Sequence, residues 1–399
     1  MSPTWLEAQR QRADQRFREV GFPDGRSEAF KYTSLKGLKS IEEAAAQAPR
    51  ELPLPQLGRP RLAFVDGEVI TDELPEQIGA GPLSEVVDAL EGQLGQLLGD
   101  EGHGLAALNL ARFRDGLFLH IKEGASGPVE IHLAQGITGG TCSYRHFIKL
   151  EAGTQADILV TTQGQVAATA HLNEVAEVFL GAGAQLDLTW VHRADDGLIT
   201  TQELVVQQQQ NSRLNINLFA LRAGTLRHGI RVDQVGEDAS VRLAGLSLAE
   251  SNEHADYHLD LHHKAPRGRS AQCFRGLVNK GGRVVVSGKV TVIESAGGSD
   301  ANQSLRGLLL EPGAEWDARP QLEIYTDEVS ASHGATVGNL DAEALFFLRS
   351  RGLDEVVSRR ILAAAFAREI PDHVGDTRIS SLLRAAVDER LDAMLSAPE

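Results

Sequence analysis

The alternation of apolar and polar positions divides this 399-residue chain into three stretches. Leu6, Ala13, Phe17 and Val20 recur at roughly helical spacing, so residues 1–20 read as an amphipathic helix that ends at Pro23-Asp24-Gly25. The Pro-rich segment Glu51–Pro60 reads as a linker. Leu62–Ile70 reads as a hairpin turning at Asp66-Gly67. Leu83–Arg112 reads as mostly helical, interrupted around Gly99–Gly104. Phe113–Ile121 carries a second hairpin signal at Asp115-Gly116. Residues 1–115 are therefore expected to form a mixed α/β N-terminal domain.

From 116 to 326 the period becomes two and no convincing helix occurs. Alternating runs such as Gln185–Val191 and Leu214–Leu218 follow turn residues. Turns at Leu150–Thr154, Leu180–Ala184, Gln210–Arg213 and Glu237–Ser240 start about every 27–30 residues, a spacing suited to the coils of a β-solenoid. A β-sandwich also fits short strands with regular turns. Beyond 341 the pattern is helical. Asp341 can cap a helix over Ala342–Arg351 closed by Gly352, and Asp354 can cap a second that ends at Pro371. A third helix from about Thr377 to Ser396 carries an apolar stripe of Ile379, Leu382, Leu383, Ala386, Leu391, Met394 and Leu395. Most of that stripe should pack on its own domain, and a face left over suits a partner helix. The C-terminal domain is expected at 327–399, and its helices from 341 onward are expected to be removable without unfolding the β region.

A net charge of −16 argues against nucleic acid, which rewards basic patches, and against an anionic membrane surface. Apolar residues at 42% and charged residues at 24% describe an ordinary soluble protein. No stretch approaches the ~20 apolar residues that span a bilayer, and Met1–Arg10 has no apolar signal core, so a cytoplasmic location is expected. The two cysteines, Cys142 and Cys273, lie far apart without CxxC spacing, which excludes a disulfide framework. Cys142, after Gly139-Gly140, is expected to be exposed. Cys273, in an alternating strand, is expected to be a buried structural thiol. Two distant thiols cannot supply the four ligands an iron–sulfur cluster usually takes, so cluster chemistry here would need His, carboxylate or a second subunit. The chain has no GxSxG, P-loop, HExxH or helix-opening GxGxxG, and it is not expected to be an enzyme.

Two segments concentrate polar chemistry. In His254–His263, period two places His254, Asp256, His258, Asp260 and His262 on one strand face and the apolar residues on the other. Imidazole and carboxylate suit iron and zinc. Side chains two apart lie ~6.6 Å from each other, awkward for one ion, so a solvated face is the plainer reading. His254, His258 and His262 stay as secondary metal candidates. The other segment is Asp327–Gly338, read as the passage from the β region to the helices. His333 is the only side chain in Ser330–Gly338 able to bind a metal strongly, and Gly334 and Gly338 allow a partner to approach. The plain alternative is a tight β-to-α connection with a hydrogen-bonded His.

These residues carry a resemblance. Pro320–Tyr325, Asp327-Glu328-Val329, Ser332–Gly338, Leu340-Asp341, Leu345–Gly352 and the helix containing Ala365-Phe366 give about thirty positions in one order. Together they resemble the C-terminal signature of the SufB/SufD family of iron–sulfur cluster assembly proteins. Arg26–Thr33 resembles the SufD-type N-terminal motif of that family, Glu-x-Trp/Phe-Lys-Tyr-Thr. His263, Pro266 and Ser270 match a His-x-x-Pro…Ser element, and Ala296–Gln303 a second element with Gly297 in place of Gln.

The resemblance implies a mainly β fold: a right-handed parallel β-helix core, flanked by an N-terminal α/β region and a C-terminal helical domain. It implies a non-ATPase scaffold subunit that pairs with a SufB-like paralogue and with SufC, an ABC-type ATPase docking on the C-terminal helices. Phe346, Phe347, Arg349, Arg351 and Phe366 fall in the matched segment and are the docking candidates. A nascent iron–sulfur cluster would be held only in the heteromeric complex, with His333 as a ligand at the SufB interface and no cluster on the isolated chain. The isolated chain is left open between monomer and homodimer. Many family members carry Cys two residues before the His. Here that position is Ala331, which keeps a purely structural subunit as an alternative. A β-helix enzyme acting on polysaccharide is the alternative from another class, opposed by the lack of a secretion signal and of a catalytic carboxylate or basic cluster.

Overall fold

The protein is described as a computed structural model covering residues 3–23, 30–35, 37–38, 41, 58–72, 79–98, 104–124, 129–164, 166 and 169–396. Asp24-Gly25, Arg26–Ala29 of the N-terminal motif, residues 51–57 of the expected linker and the expected break at 99–103 lie outside these residues.

Helix α1 (Thr4–Val20) is followed by strands β1 (Arg61–Val65), β2 (Glu68–Thr71) and β3 (Gly79–Pro82), then α2 (Leu83–Val86), α3 (Gly104–Arg112) and β4 (Leu117–Ile121). The strands β5 (Val129–Ile137), β6 (Gly140–Leu150), β7 (Gln155–Gly164), β8 (Ala170–Leu180), β9 (Gln185–Ala194), β10 (Leu198–Gln208), β11 (Arg213–Arg222) and β12 (Thr225–Gln234) come next. They continue as β13 (Ser240–Ala249), β14 (His254–His263), β15 (Arg269–Val278), β16 (Arg283–Val292), β17 (Ser299–Leu309), β18 (Glu315–Ile324) and β19 (Val329–Asn339). Helices α4 (Ala342–Ser350), α5 (Glu355–Ala367) and α6 (Thr377–Leu395) complete the chain.

From β5 onward, odd strands stack in one parallel sheet and even strands in another, so successive strands alternate between the two. This is a β-solenoid of about seven coils, as the turn spacing predicts, and the sandwich alternative is set aside. One corner of the coil explains the repeat. A residue with φ between 56° and 74° recurs there once per coil, at Gly153, Gly183, Asn211, Asp238, Arg267 and Gly298. Each donates its N–H to a carbonyl of the next coil, from Gly153 to Ala182 through Gly298 to Glu328. Left-handed backbone favours Gly, Asn and Asp, which is why the corners are visible in the sequence.

The solenoid is filled by inward residues such as Leu172, Ile216, Leu259 and Val286. Both outer faces are also partly covered, so many strands are apolar on both sides. On the nine-stranded sheet, Leu6, Leu83, Leu90 and Leu94 pack against Phe147, and Phe30, Leu35 and Leu105 against Ile199. On the ten-stranded sheet, Ala363, Ala367, Ile379, Leu383, Val387 and Leu391 of α5 and α6 cover Phe219, Leu246, Leu248 and Leu277. Most of the α6 stripe is therefore core, while Leu382 is exposed, as is Val20 of α1. Because those helices seal an apolar sheet face, residues 341–399 are not removable without exposing it, which corrects that expectation.

The Asp66-Gly67 hairpin forms as expected, with φ of 49° and 88° at its turn and β1 antiparallel to β2. The second expected hairpin, over 113–121, does not. Asp115 bridges in parallel to Tyr144, and β4 pairs antiparallel with β3 and parallel with β6. The Asp-Gly pair there serves close approach instead of turning. A Cβ at Gly116 would lie 1.6 Å from the carbonyl oxygen of Arg145, and the Asp115 carboxylate accepts from Ser84 N at 3.0 Å and Gly116 N at 2.8 Å. The helix expected over Leu83–Arg112 is reduced to α2, one 3-10 turn at Val87–Leu90 and α3. Between them, the Glu177 carboxylate accepts from Gly95 N at 2.9 Å and Leu97 N at 3.1 Å, taking the N–H groups a helix would use internally.

The solenoid overruns the boundaries read from sequence. β1 joins it in parallel with β5, and β19 extends it past 326. Residues 329–339 are thus a full strand, not a connection, and the passage to the helices is confined to Leu340-Asp341.

Candidate functional site

The last coil is open. β18 and β19 are the terminal strands of their sheets, and nearly every residue of β19 is exposed. The outer edge of a terminal strand presents a row of free N–H and C=O groups, a template for another strand. β19 carries exposed Val337, and exposed Ile324 and Tyr325 stand at the end of β18.

His333 lies midway along this edge. β17 and β19 run parallel with Gln303 opposite His333, flanked by the pairs Ala301–Ala331 and Leu305–Ala335. Ala301 and Leu305 belong to the solenoid core, so Ala331, His333 and Ala335 share the inward face and stand over the mouth of the coil. Nothing lies within 4 Å of a Cβ built at Gly334 or Gly338, so the edge is open to close approach. On the outward face, Ser332 Oγ donates to Asn302 Oδ1 at 2.5 Å, and Asn302 Nδ2 to Asp300 Oδ1 at 2.8 Å.

Below His333 is a pair of glutamines that the sequence pattern does not single out. Gln303 and Gln272 are both buried and face each other in neighbouring strands, with Gln303 Nε2 donating to Gln272 Oε1 at 3.0 Å. A polar residue at an inward position is the one signal that could have marked them.

The thiols stand elsewhere. Cys142 is 1% exposed, against the expectation from its two glycines, because β6 turns it into the core beside Tyr144 and Leu172. Burial pushes its thiol up to about 11. Cys273 is half-buried, and burial raises its thiol as well. It lies in register with Ser304 and Gly334, on the face opposite His333 and against the C-terminal helices. Neither thiol can share a ligand set with His333. The residues fit an iron–sulfur group only as the donor of one imidazole.

The His/Asp ladder is committed to other bonds. His254 Nε2 lies 2.8 Å from Thr33 Oγ1, whose hydroxyl also meets Asp256. His262 Nδ1 lies 2.7 Å from Asp233 and its Nε2 3.0 Å from Asp260, and these hydrogen bonds raise its pKa to about 9. Burial lowers His254 and His258. Among the described residues no three His, Cys, Asp or Glu groups are arranged to hold a metal. The ladder seats the N-terminal motif: the Arg227 guanidinium lies 5.0 Å from the Phe30 ring, and Arg283 and Arg319 lie 5.5 and 5.7 Å from Tyr32. His263 Nε2 is 2.8 Å from Ser270 Oγ, and Pro266 O accepts from Asp238 N, so that element is a corner staple.

A second surface lies on α4 and α5. Asp341 caps α4 through Glu343 N and Ala344 N, and Asp354 caps α5 through Val357 N. The two helices expose Phe346 (74%), Phe347 (56%), Val356 and Ile361 beside a groove of about 870 Å³. Patches of this kind mark interaction sites. Arg351 stacks 5.1 Å from the Phe347 ring and Arg349 pairs with Glu355 at 3.4 Å. Phe366 differs, being half-buried against the core under α5.

Residues 132–366 match the family model for the SUF system FeS cluster assembly SufBD core domain. The iron-sulfur cluster assembly protein SufD of Escherichia coli is 28% identical, with 94% of this chain and 91% of the relative aligned. A SufBD family protein of Synechocystis is 27% identical over 96% and 91% of the two chains. The chloroplastic protein ABCI7 of Arabidopsis thaliana is 26% identical over 88% and 78%. No helix among the described residues is long and apolar enough to cross a membrane.

Proposed function

The chain belongs to the SufB/SufD family of the SUF iron–sulfur cluster assembly system, and on that premise we propose that it is a cytoplasmic, non-ATPase scaffold subunit working in a heteromeric complex. The observation that carries this reading is the open end of the solenoid, where the terminal strand β19, paired on one side alone among the described residues, presents one imidazole. A SufB-like paralogue would add its own edge strands there, and in isolation a second copy of this chain could take the same place. The nascent cluster is cargo, held between subunits, with His333 giving one ligand and the partner the rest. The apolar surface of α4 and α5 would dock the SufC ATPase. Ala331 leaves the imidazole as the sole strong ligand that this edge offers.

The test is His333→Ala in the reconstituted complex. His333 is exposed, so the variant should stay folded, its melting point lowered by no more than the loss of one hydrogen bond, while transfer of cluster to an apo-acceptor should fall about tenfold or more. Transfer at the parental rate would leave this chain as a purely structural subunit. The isolated chain, reconstituted anaerobically with iron and sulfide, should give no stoichiometric chromophore that survives desalting.

A further inference from the structure

Gln303 is 4% exposed, and its amide is fixed in one orientation. Nε2 donates to Gln272 Oε1 at 3.0 Å and to the Gly288 carbonyl at 3.0 Å. Both partners are carbonyl oxygens, so a reversed amide would set oxygen against oxygen twice. The arrangement depends on Gly288, where a Cβ would lie 2.3 Å from Gln272 Oε1 and 3.1 Å from Gln303 Nε2. With both N–H groups used, Oε1 is left sealed from solvent and without a hydrogen-bond partner. A buried amide oxygen in that state is destabilising unless a donor reaches it.

The register limits which donor that is. Adjacent strands lie about 4.8 Å apart, and residues paired in parallel strands project from the same face. On that face the neighbours of Gln303 are Ala301, Leu305, Ala331 and Ala335, which have no side-chain donor, and Gln272, which turns its oxygen toward Gln303. The remaining neighbour is His333. Two other buried donors lack partners: Gln272 Nε2, on an amide that already turns its oxygen to Gln303 Nε2, and Trp316 Nε1, on a ring packed over Gly276 and Gly307, four residues further along the strand.

We propose that Gln303 is a positioning residue for His333: its Oε1 accepts the N–H of one ring nitrogen and so selects the tautomer. Neutral imidazole carries one N–H and one lone pair. Holding the N–H on the buried glutamine leaves the lone pair of the other nitrogen facing the open end of the solenoid. This is the arrangement in which metal-binding histidines usually work, with the second nitrogen held by a hydrogen bond. The inference rests on the reading of His333 as a ligand, and it adds the residue that aims it.

The measurement is the tautomer ratio of His333, read from ring ¹⁵N shifts of the full-length chain at a pH where imidazole is neutral. The His333→Ala spectrum identifies the signal. In the parent, the ratio should depart from that of a free histidine side chain by about tenfold, the effect of one net hydrogen bond. Gln303→Met removes the acceptor and should abolish that bias. Gln272→Met, a comparable change of packing beside it that leaves Gln303 Oε1 in place, should keep the bias, which a packing role alone would not do. A parental ratio equal to that of free histidine, a bias that survives in Gln303→Met, or a bias lost in both variants overturns the proposal. If the tautomer pattern holds while the His333→Ala complex transfers cluster normally, the ligand reading fails and the contact stands.

Discussion

The guanidinium of Arg59 lies 2.6 Å from the carboxylate of Asp376, joining residues 317 positions apart in the chain. Arg59 also grips Asp157 through two bonds of 3.0 Å, and its side chain is 1% exposed. One buried cation thus ties the segment before β1, the strand β7 and the first turn of α6 together. Asp376 is also the N-cap of α6, accepting from Arg378 N and Ile379 N, and the Arg378 and Arg59 guanidiniums hold its carboxyl well below the usual range. Removing one partner of such a set strands the other charges. Arg59→Met should therefore lower stability by about 3–5 kcal/mol in urea unfolding. A loss below about 1 kcal/mol would mean that the helices are held by apolar packing alone.

Stability should fall steeply with acid because of buried histidines. Burial lowers His132, His192 and His263 to about 4, and His171 and His228 to about 3. In the unfolded chain each titrates near 6.5, so each contribution is full above that pH and is lost as pH falls toward 3–4. The slope is about 1.4 kcal/mol per pH unit for each histidine. His262 acts in the opposite sense. Raised to about 9, mainly by its hydrogen bond to Asp233, it contributes fully below 6.5 and loses that contribution as pH rises through 9. His262 is charged in both states below its ordinary value and offsets nothing there, so the five lowered histidines predict falling melting temperatures between pH 6.5 and 4.5, with protons taken up on unfolding. A flat profile there would contradict the buried neutral state.

Phe346→Ser with Phe347→Ser should leave the melting point unchanged, since both rings are largely exposed. The same pair should abolish capture of the ATPase by the purified chain. Retained capture would move the docking surface away from α4. Truncation at 341 is the poorer test, because it uncovers Leu246 and Leu277.

Thiol reagents should distinguish the two cysteines. Cys142 is sealed in the core with its pKa pushed up to about 11, and it should react only as fast as the protein opens. Cys273, half-buried, should react first, by about a hundredfold in rate or more. Equal rates in the native chain would mean that β6 does not bury Cys142 as described.

Much of the architecture was legible in the linear pattern because its signals are local. Coil corners need left-handed backbone, and Gly153, Gly183, Asn211 and Asp238 supply it; the corner at Arg267 carries no such mark. Helix starts need a side-chain acceptor, and Asp341 and Asp354 are placed to give it. The family signature likewise pointed to His333 from neighbouring residues alone.

What tertiary structure alone decided depends on partners distant in sequence. Asp115-Gly116 looks like a hairpin turn until Arg145 passes against it. The stretch after Leu90 has helical composition, yet Glu177, about eighty residues away, takes its N–H groups. Cys142 and Gln303 were placed by the parity of strands whose inward face only the closed coil defines. The sequence by itself determined the repeating turns, the caps and the solenoid class, because these are set by backbone preferences within a few residues. Which groups end up buried, paired or left open at the last coil was decided by stacking, since a strand has no inside until its neighbour is in place.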